Sequence, residues 1–256
     1  MVLRFDAEEI GKFLAILLRI GLLFFAMPFF SGGQISRTIK VLFALVLSSL
    51  LYMVLSHVVP PLSFDAVNLV KTVVSETIFT AVMTLAILII FAAFQLAGEV
   101  IGFQMGFGFA QVADPQTGAQ VAIISRWFQL LATVIFFSVN GHHIVLMAIV
   151  ESFKTVPVGG FALTSGTFAK TVYLSGQLFV IGLKMAAPMM AVFFLTQAGL
   201  GLVCRFAPEI NILIVSFPLT IILGFLFIVL FTSAWETVML NSLELLFQFL
   251  KRLTQV

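Results

Sequence analysis

The stretch LVKTVVSETIFTAVMTLAILIIFAAFQLAGEVIGFQMGFGFAQVADPQTG occupies residues 69–118. Roughly 20 apolar residues suffice to cross a bilayer as a helix, and the run from 69 to 97 exceeds that length almost without charge. Its composition then changes. Gly98, Gly102, Gly106 and Gly108 sit among Phe103, Met105, Phe107 and Phe109, and a polar run follows with Asp114, Pro115 and Gly118. The first part dictates a membrane helix, and the second part asks what such a helix leads into.

The rest of the chain repeats the first part. Of its 256 residues, 61% are hydrophobic and 9% charged, against roughly 25% charged in ordinary soluble domains. Mean hydropathy is +1.20. These values indicate an all-α integral membrane protein. Apolar segments are expected at 13–30, 40–60, 69–97, 123–150, 171–203 and 210–235, about six in all. The last should be followed by a more polar helix whose Val238, Leu245, Leu246, Phe249 and Leu253 recur at helical spacing, lying along a protein or membrane surface. No flexible linker composition appears, so one all-helical domain over 1–256 is expected. The acids before the first apolar run, with no small-residue cleavage site after it, suggest a retained first helix.

Connections are marked by Pro28 with the SGG at 31–33, Pro60-Pro61, Asp114-Pro115, Pro157 with Gly159-Gly160, and Pro208. Pro188 and Pro218 instead fall inside apolar segments, where a kink or break is expected. Under a six-span model Arg4, Lys12, Lys71, Lys154, Lys170, Lys251 and Arg252 collect on one side, and Arg37, Lys40, Arg126 and Arg205 on the other. That bias is weak for a simple serpentine.

A net charge of +2 does not suggest a nucleic-acid partner. The single cysteine, Cys204, excludes an intramolecular disulfide and reads as a small packed hydrophobe. His142 and His143 are adjacent, so they point about 100° apart on a helix and do not make the i, i+4 pair that zinc uses. Asn140-Gly141 before them should interrupt one helix or begin the next. Neither a P-loop, a dinucleotide fingerprint nor a nucleophile elbow is present. No catalytic residue, metal site or cofactor is expected, and the chain does not read as an enzyme.

Arg19, Glu76, Glu99, Lys184 and Glu236 lie in or at the ends of apolar segments. Such residues pair, face water or lie outside the hydrocarbon. Two readings follow: a small-solute transporter with a site near the midplane, or charges that pair with neighbouring subunits and mark segment ends.

Gly98, Gly102 and Gly106 form consecutive Gly-x-x-x-Gly steps, a helix face that lets another helix approach closely. Beyond them Asp114-Pro115 should end regular helix. The residues alone leave open a tight helix pair with an ordinary loop, or a Gly-rich loop directed into a pore and sealing it with phenylalanine and methionine.

GFQMGFGFAQVADPQTG (102–118), NGHH (140–143) with SF (152–153) and VPVG (156–159), and FAPEINILIVSFPLTIILG (206–224) occur in an order that resembles the FliR/SctT family of type III secretion export-gate proteins. Arg19, MPFFSGGQIS (27–36) and Lys40 fit its first hairpin, with Ser36 standing where the family pattern has proline. The Asp-Pro and Asn-Gly-His forms resemble the flagellar branch. The resemblance implies a chain with FliP-like and FliQ-like portions fused. It would assemble with FliP and FliQ, with FlhB at the entrance and FlhA nearby, in the bacterial inner membrane within the flagellar basal body. It further implies contact with membrane lipid and unfolded export substrates, and a plug from about Gly106 to Gly118 using Phe107, Phe109 and Asp114, with Met105 beside it at a constriction.

Overall fold

A computed structural model of the protein describes residues 7–27, 35–62, 65–107, 123–209 and 211–253. Seven helices are described: α1 (Ala7–Ala26), α2 (Arg37–Leu55), α3 (Ala66–Gln104), α4 (Ile123–Ser138), α5 (Gly141–Thr155), α6 (Ser165–Phe206) and α7 (Ile212–Leu253). No strand occurs among the described residues, and the protein is an all-α membrane protein.

Four helices, α2, α3, α6 and α7, are long and apolar enough to cross a membrane, or five spans if the broken pair α4–α5 counts as one. This corrects the expected six. α1 drops out because Glu8, Glu9, Lys12 and Arg19 crowd its 20 residues. The 123–150 segment divides where Asn140 takes the left-handed conformation (φ 55°) before Gly141, a conformation asparagine tolerates better than most residues.

Neither of the two prolines expected to kink or break a helix breaks one. α6 continues through Pro188 and α7 through Pro218, with Met185, Ala186, Met189 and Phe193 buried around the first of these prolines. Nor is the C-terminal helix separate: residues 236–253 continue α7 in register. Its inward line is Trp235, Met239, Leu243 and Leu246, whereas Leu245 is exposed.

At 39, 42 and 42 residues, α3, α6 and α7 are about twice the length that crosses a hydrocarbon layer. The chain divides into two compact units, and these three helices each contribute to both. α3 is the most buried of the four: 67% of its apolar stretch is buried, against 22–28% for α2, α6 and α7. The outer helices therefore present apolar side chains such as Met53, Phe194 and Val229 outward, as lipid or protein partners require.

The first unit holds α1, α2, α5 and the ends of the long helices from 1–88, 140–175 and 243–256. α1 and α2 form an antiparallel hairpin: Phe13 meets Tyr52 edge-on at 6.2 Å, Phe24 meets Phe43 at 5.1 Å, and the Tyr52 hydroxyl donates to Glu9 Oε2. Ser36 begins α2 as its N-cap, with Ile39 N donating to Ser36 Oγ at 3.4 Å. Its φ of −60° is one that proline also adopts, so proline would fit the backbone here, and serine adds a cap.

The second unit comprises 89–139 and 176–242. Ala93, Phe94, Ala97, Ile101 and Met105 recur along one face of α3 and its exit, all fully buried. Phe136 of α4 meets Phe91 at 5.6 Å, and Phe128 of α4 meets Trp235 of α7 at 4.9 Å.

Candidate functional site

The site of interest is the exit of α3 in the second unit. A Cβ on Gly98 would stand 2.8 Å from Ser125 Cα and from Phe128 Cβ, and one on Gly102 would stand 2.9 Å from Ile124 Cβ. No real Cβ tolerates such distances, so α4 lies against bare backbone on α3. Gly182 of α6 stands in a similar place, its would-be Cβ 2.9 Å from the Ala93 carbonyl oxygen.

Gly106 leaves this line. Helix α3 ends at Gln104, Met105 N still donates to Ile101 O at 2.9 Å, and Gly106 N donates to Phe103 O at 3.1 Å. Gly106 itself has φ +95°, the left-handed conformation that glycine supplies at helix C-termini. A Cβ there would also overlap the Phe217 ring. The third glycine of the expected face thus terminates the helix and does not extend its packing stripe.

α7 receives this exit. Thr220 Oγ1 lies 3.2 Å from Met105 O, to which it can donate, and Met105 is fully buried with its thioether where a side chain on residue 224 would be. A Cβ on Gly224 would lie 2.5 Å from Met105 Cε and 2.6 Å from Sδ. Phe217, Thr220 and Gly224 are spaced i, i+3, i+7 and form one face. In the sequence FPLTIILG this spacing is visible, but not what it faces. Phe103 is exposed and Phe107 half-buried. Gly108, Phe109, Asp114, Pro115 and Gly118 lie outside the described residues.

Of the five ionisable residues in apolar segments, the structure brings two together, in the first unit. Arg19 Nε donates to Glu76 Oε2 at 2.6 Å and Nη2 to Oε1 at 2.7 Å, with both side chains fully buried. Nη1 donates to Ser152 O at 3.1 Å, and Val156 O is 3.3 Å from both Nη1 and Nη2. The guanidinium also sits over the rings of Phe79 and Phe153, at 4.6 and 4.4 Å. The carboxylate accepts a third bond, at Oε1 from Gly159 N at 3.0 Å.

That last donor depends on the Pro157–Gly160 turn, closed by Gly160 N donating to Pro157 O at 2.9 Å. Gly159 has φ +76°, and a Cβ on it would stand 2.8 Å from Thr72 Oγ1. The pair thereby joins α1, α3, α5 and this turn. Burying two charges is tolerated when geometry is good and the remaining donors are satisfied, as here.

Glu99 and Gln95 are hydrogen bonded along α3, Gln95 Nε2 donating to Oε1 at 3.1 Å. Lys184 and Glu236 are exposed, and no ion pair involves either among the described residues. His142 and His143 meet edge to face at 4.4 Å. Among the described residues no cluster of His, Cys, Asp or Glu could hold a metal ion.

The model for the family described as bacterial export proteins, family 1, matches residues 10–246. The chain is similar to flagellar biosynthetic protein FliR of Bacillus subtilis (strain 168), 31% identical over 244 residues that cover 94% of this chain and 93% of the relative. The proteins of that name from Escherichia coli (strain K12) and Aquifex aeolicus (strain VF5) are each 31% identical. Those matches cover 81% of this chain and 79% of the relative, and 83% and 81%, respectively.

Proposed function

The chain belongs to the bacterial export proteins, family 1, and from that membership we propose that it is a non-enzymatic, channel-forming subunit of the flagellar type III protein export gate. It acts as a single export-gate chain in the bacterial inner membrane, within the flagellar basal body. There it assembles with FliP and FliQ, and meets FlhB and FlhA. Unfolded substrates pass through the assembled channel. The segment from Gly106 through Phe107, Gly108, Phe109, Asp114 and Pro115 to Gly118, with Met105 beside it, closes that channel until substrate arrives.

The observation that carries this reading is the exit of α3. A largely buried helix ends at a left-handed glycine and hands the chain, through exposed or half-buried phenylalanines, to a Gly-Phe-rich segment. Relatives named for flagellar biosynthesis support the export role. The apolar outer faces of α2, α6 and α7 suit a subunit covered by lipid and partner helices.

The competing reading, a small-solute transporter, draws on Glu76, Glu99 and Lys184 and on the prolines at 188 and 218. Glu76 is instead occupied by Arg19 and Gly159 in the first unit, which weighs against it.

Co-expression with FliP and FliQ, followed by purification and imaging, tests the assembly; a chain that is stable alone and takes up solute in liposomes would overturn it. Deleting residues 106–118 should leave the complex intact and make the closed channel leak small solutes. An intact complex of unchanged conductance would show that this segment is not the closure.

A further inference from the structure

We propose that Phe217, Thr220 and Gly224 on α7 form a latch holding the root of the closing segment at Met105–Gly106, and that export requires the latch to let go. This rests on the reading that the segment beyond Gly106 closes the channel.

Three contacts converge on two residues. Gly224 leaves the notch that the Met105 thioether fills, Thr220 reaches the Met105 carbonyl, and Phe217 covers the bare Cα of Gly106. They lie on a single helix face, so one small movement of α7 or of the exit breaks all three together.

The hydroxyl is suited to a contact that must break. Thr220 Oγ1 lies 3.2 Å from Met105 O, 2.9 Å from Ser216 O and 3.1 Å from Phe217 O. Its one hydrogen can serve the exit when Met105 is seated and turn to its own helix when Met105 leaves. Release therefore strands no buried donor, and the usual penalty for an unmade bond is avoided. Methionine is likewise the apolar side chain best able to leave one irregular cavity and adapt to another. Pro218 withholds an N–H from this turn of α7, which softens the helix within the latch.

The test uses the assembled complex with Cys204→Ser as background and two further substitutions, Met105→Cys and Gly224→Cys. Under oxidant the pair should cross-link and secretion of an export substrate should be lost, then return with reductant in the same double variant, whereas neither single cysteine variant should change its secretion on going from reductant to oxidant. Thr220→Val, which removes the hydroxyl at nearly constant shape, should raise the leak of small solutes through the resting channel.

Full cross-linking with undiminished secretion would overturn the proposal, as would an assembled double variant that never cross-links. The deletion of 106–118 separates this outcome from failure of the closure reading. A deletion that does not leak refutes the closure itself, whereas a leaking deletion beside a harmless or absent cross-link refutes only the latch.

Discussion

Replacing Glu76 by glutamine changes one oxygen to an amide and removes one charge from a fully buried pair. The two carboxylate oxygens accept three N–H groups: Arg19 Nε at 2.6 Å, Arg19 Nη2 at 2.7 Å and Gly159 N at 3.0 Å. With the remaining oxygen at the Oε1 position, Arg19 Nη2 and Gly159 keep their acceptor, but the new NH2 opposes Arg19 Nε. The flipped amide opposes two donors and is worse.

In either case a buried guanidinium is left with neutral acceptors only. Breaking such a pair by altering one partner costs about 3–5 kcal/mol. The carbonyls of Ser152 and Val156 and the rings of Phe79 and Phe153 still face the cation, which places the expected cost near 3 kcal/mol, the low end of that range. At about 1.4 kcal/mol per decade, the folded-to-unfolded ratio falls by roughly two orders of magnitude.

The assay is unfolding in mixed detergent–SDS micelles followed by helical circular dichroism, run on Glu76→Gln, Arg19→Met and the double change Arg19→Met with Glu76→Met. Each single change should lower the midpoint clearly. The double change should recover most of the loss, because two apolar side chains leave no stranded charge. A Glu76→Gln protein as stable as the parent, or a double variant that loses the sum of the singles, would refute the reasoning. Preserved stability with lost solute uptake would return Glu76 to a transport pathway.

Two further measurements use the same assay. Gly98→Ala places a methyl 2.8 Å from Ser125 Cα and should cost about 1–3 kcal/mol through the forced separation of α3 and α4. Gly199→Ala, with nothing within 4 Å, should instead be neutral or stabilise by up to about 1 kcal/mol from helix propensity. Among the described residues the buried hydroxyls of Thr80 and Thr84 have no hydrogen-bond partner, so Thr84→Val should not destabilise. A loss of more than about 1 kcal/mol, the worth of a typical hydrogen bond, would mean the hydroxyl is satisfied by an internal water.

Much of the architecture follows from local composition. Long apolar runs, Pro and Gly at their ends, and Asn140-Gly141 at a break are signals carried by neighbouring residues, so helix class and most connections were legible. The number of spans was less so. α1 has the length of a span but too many charges, and α3, α6 and α7 run on well beyond the apolar stretches that reveal them. Pro188 and Pro218 read as a kink or break, yet α6 and α7 each run through their proline as one helix.

At the candidate site the same division holds. Glycines at 98, 102 and 106 were visible as a spacing, yet that spacing cannot distinguish a packing face from a helix terminus. Gly98 and Gly102 meet α4, while Gly106 has turned to a positive φ beneath Phe217.

Composition and periodicity are properties of near neighbours, and they set helix, membrane solvent and the glycine-rich exit of α3. Pairing across the chain is different in kind. Arg19 finds Glu76, and Met105 finds Gly224, at sequence separations where no local pattern constrains them. Only the folded backbone brings a buried cation to its one carboxylate and a methionine to the glycine that leaves it room.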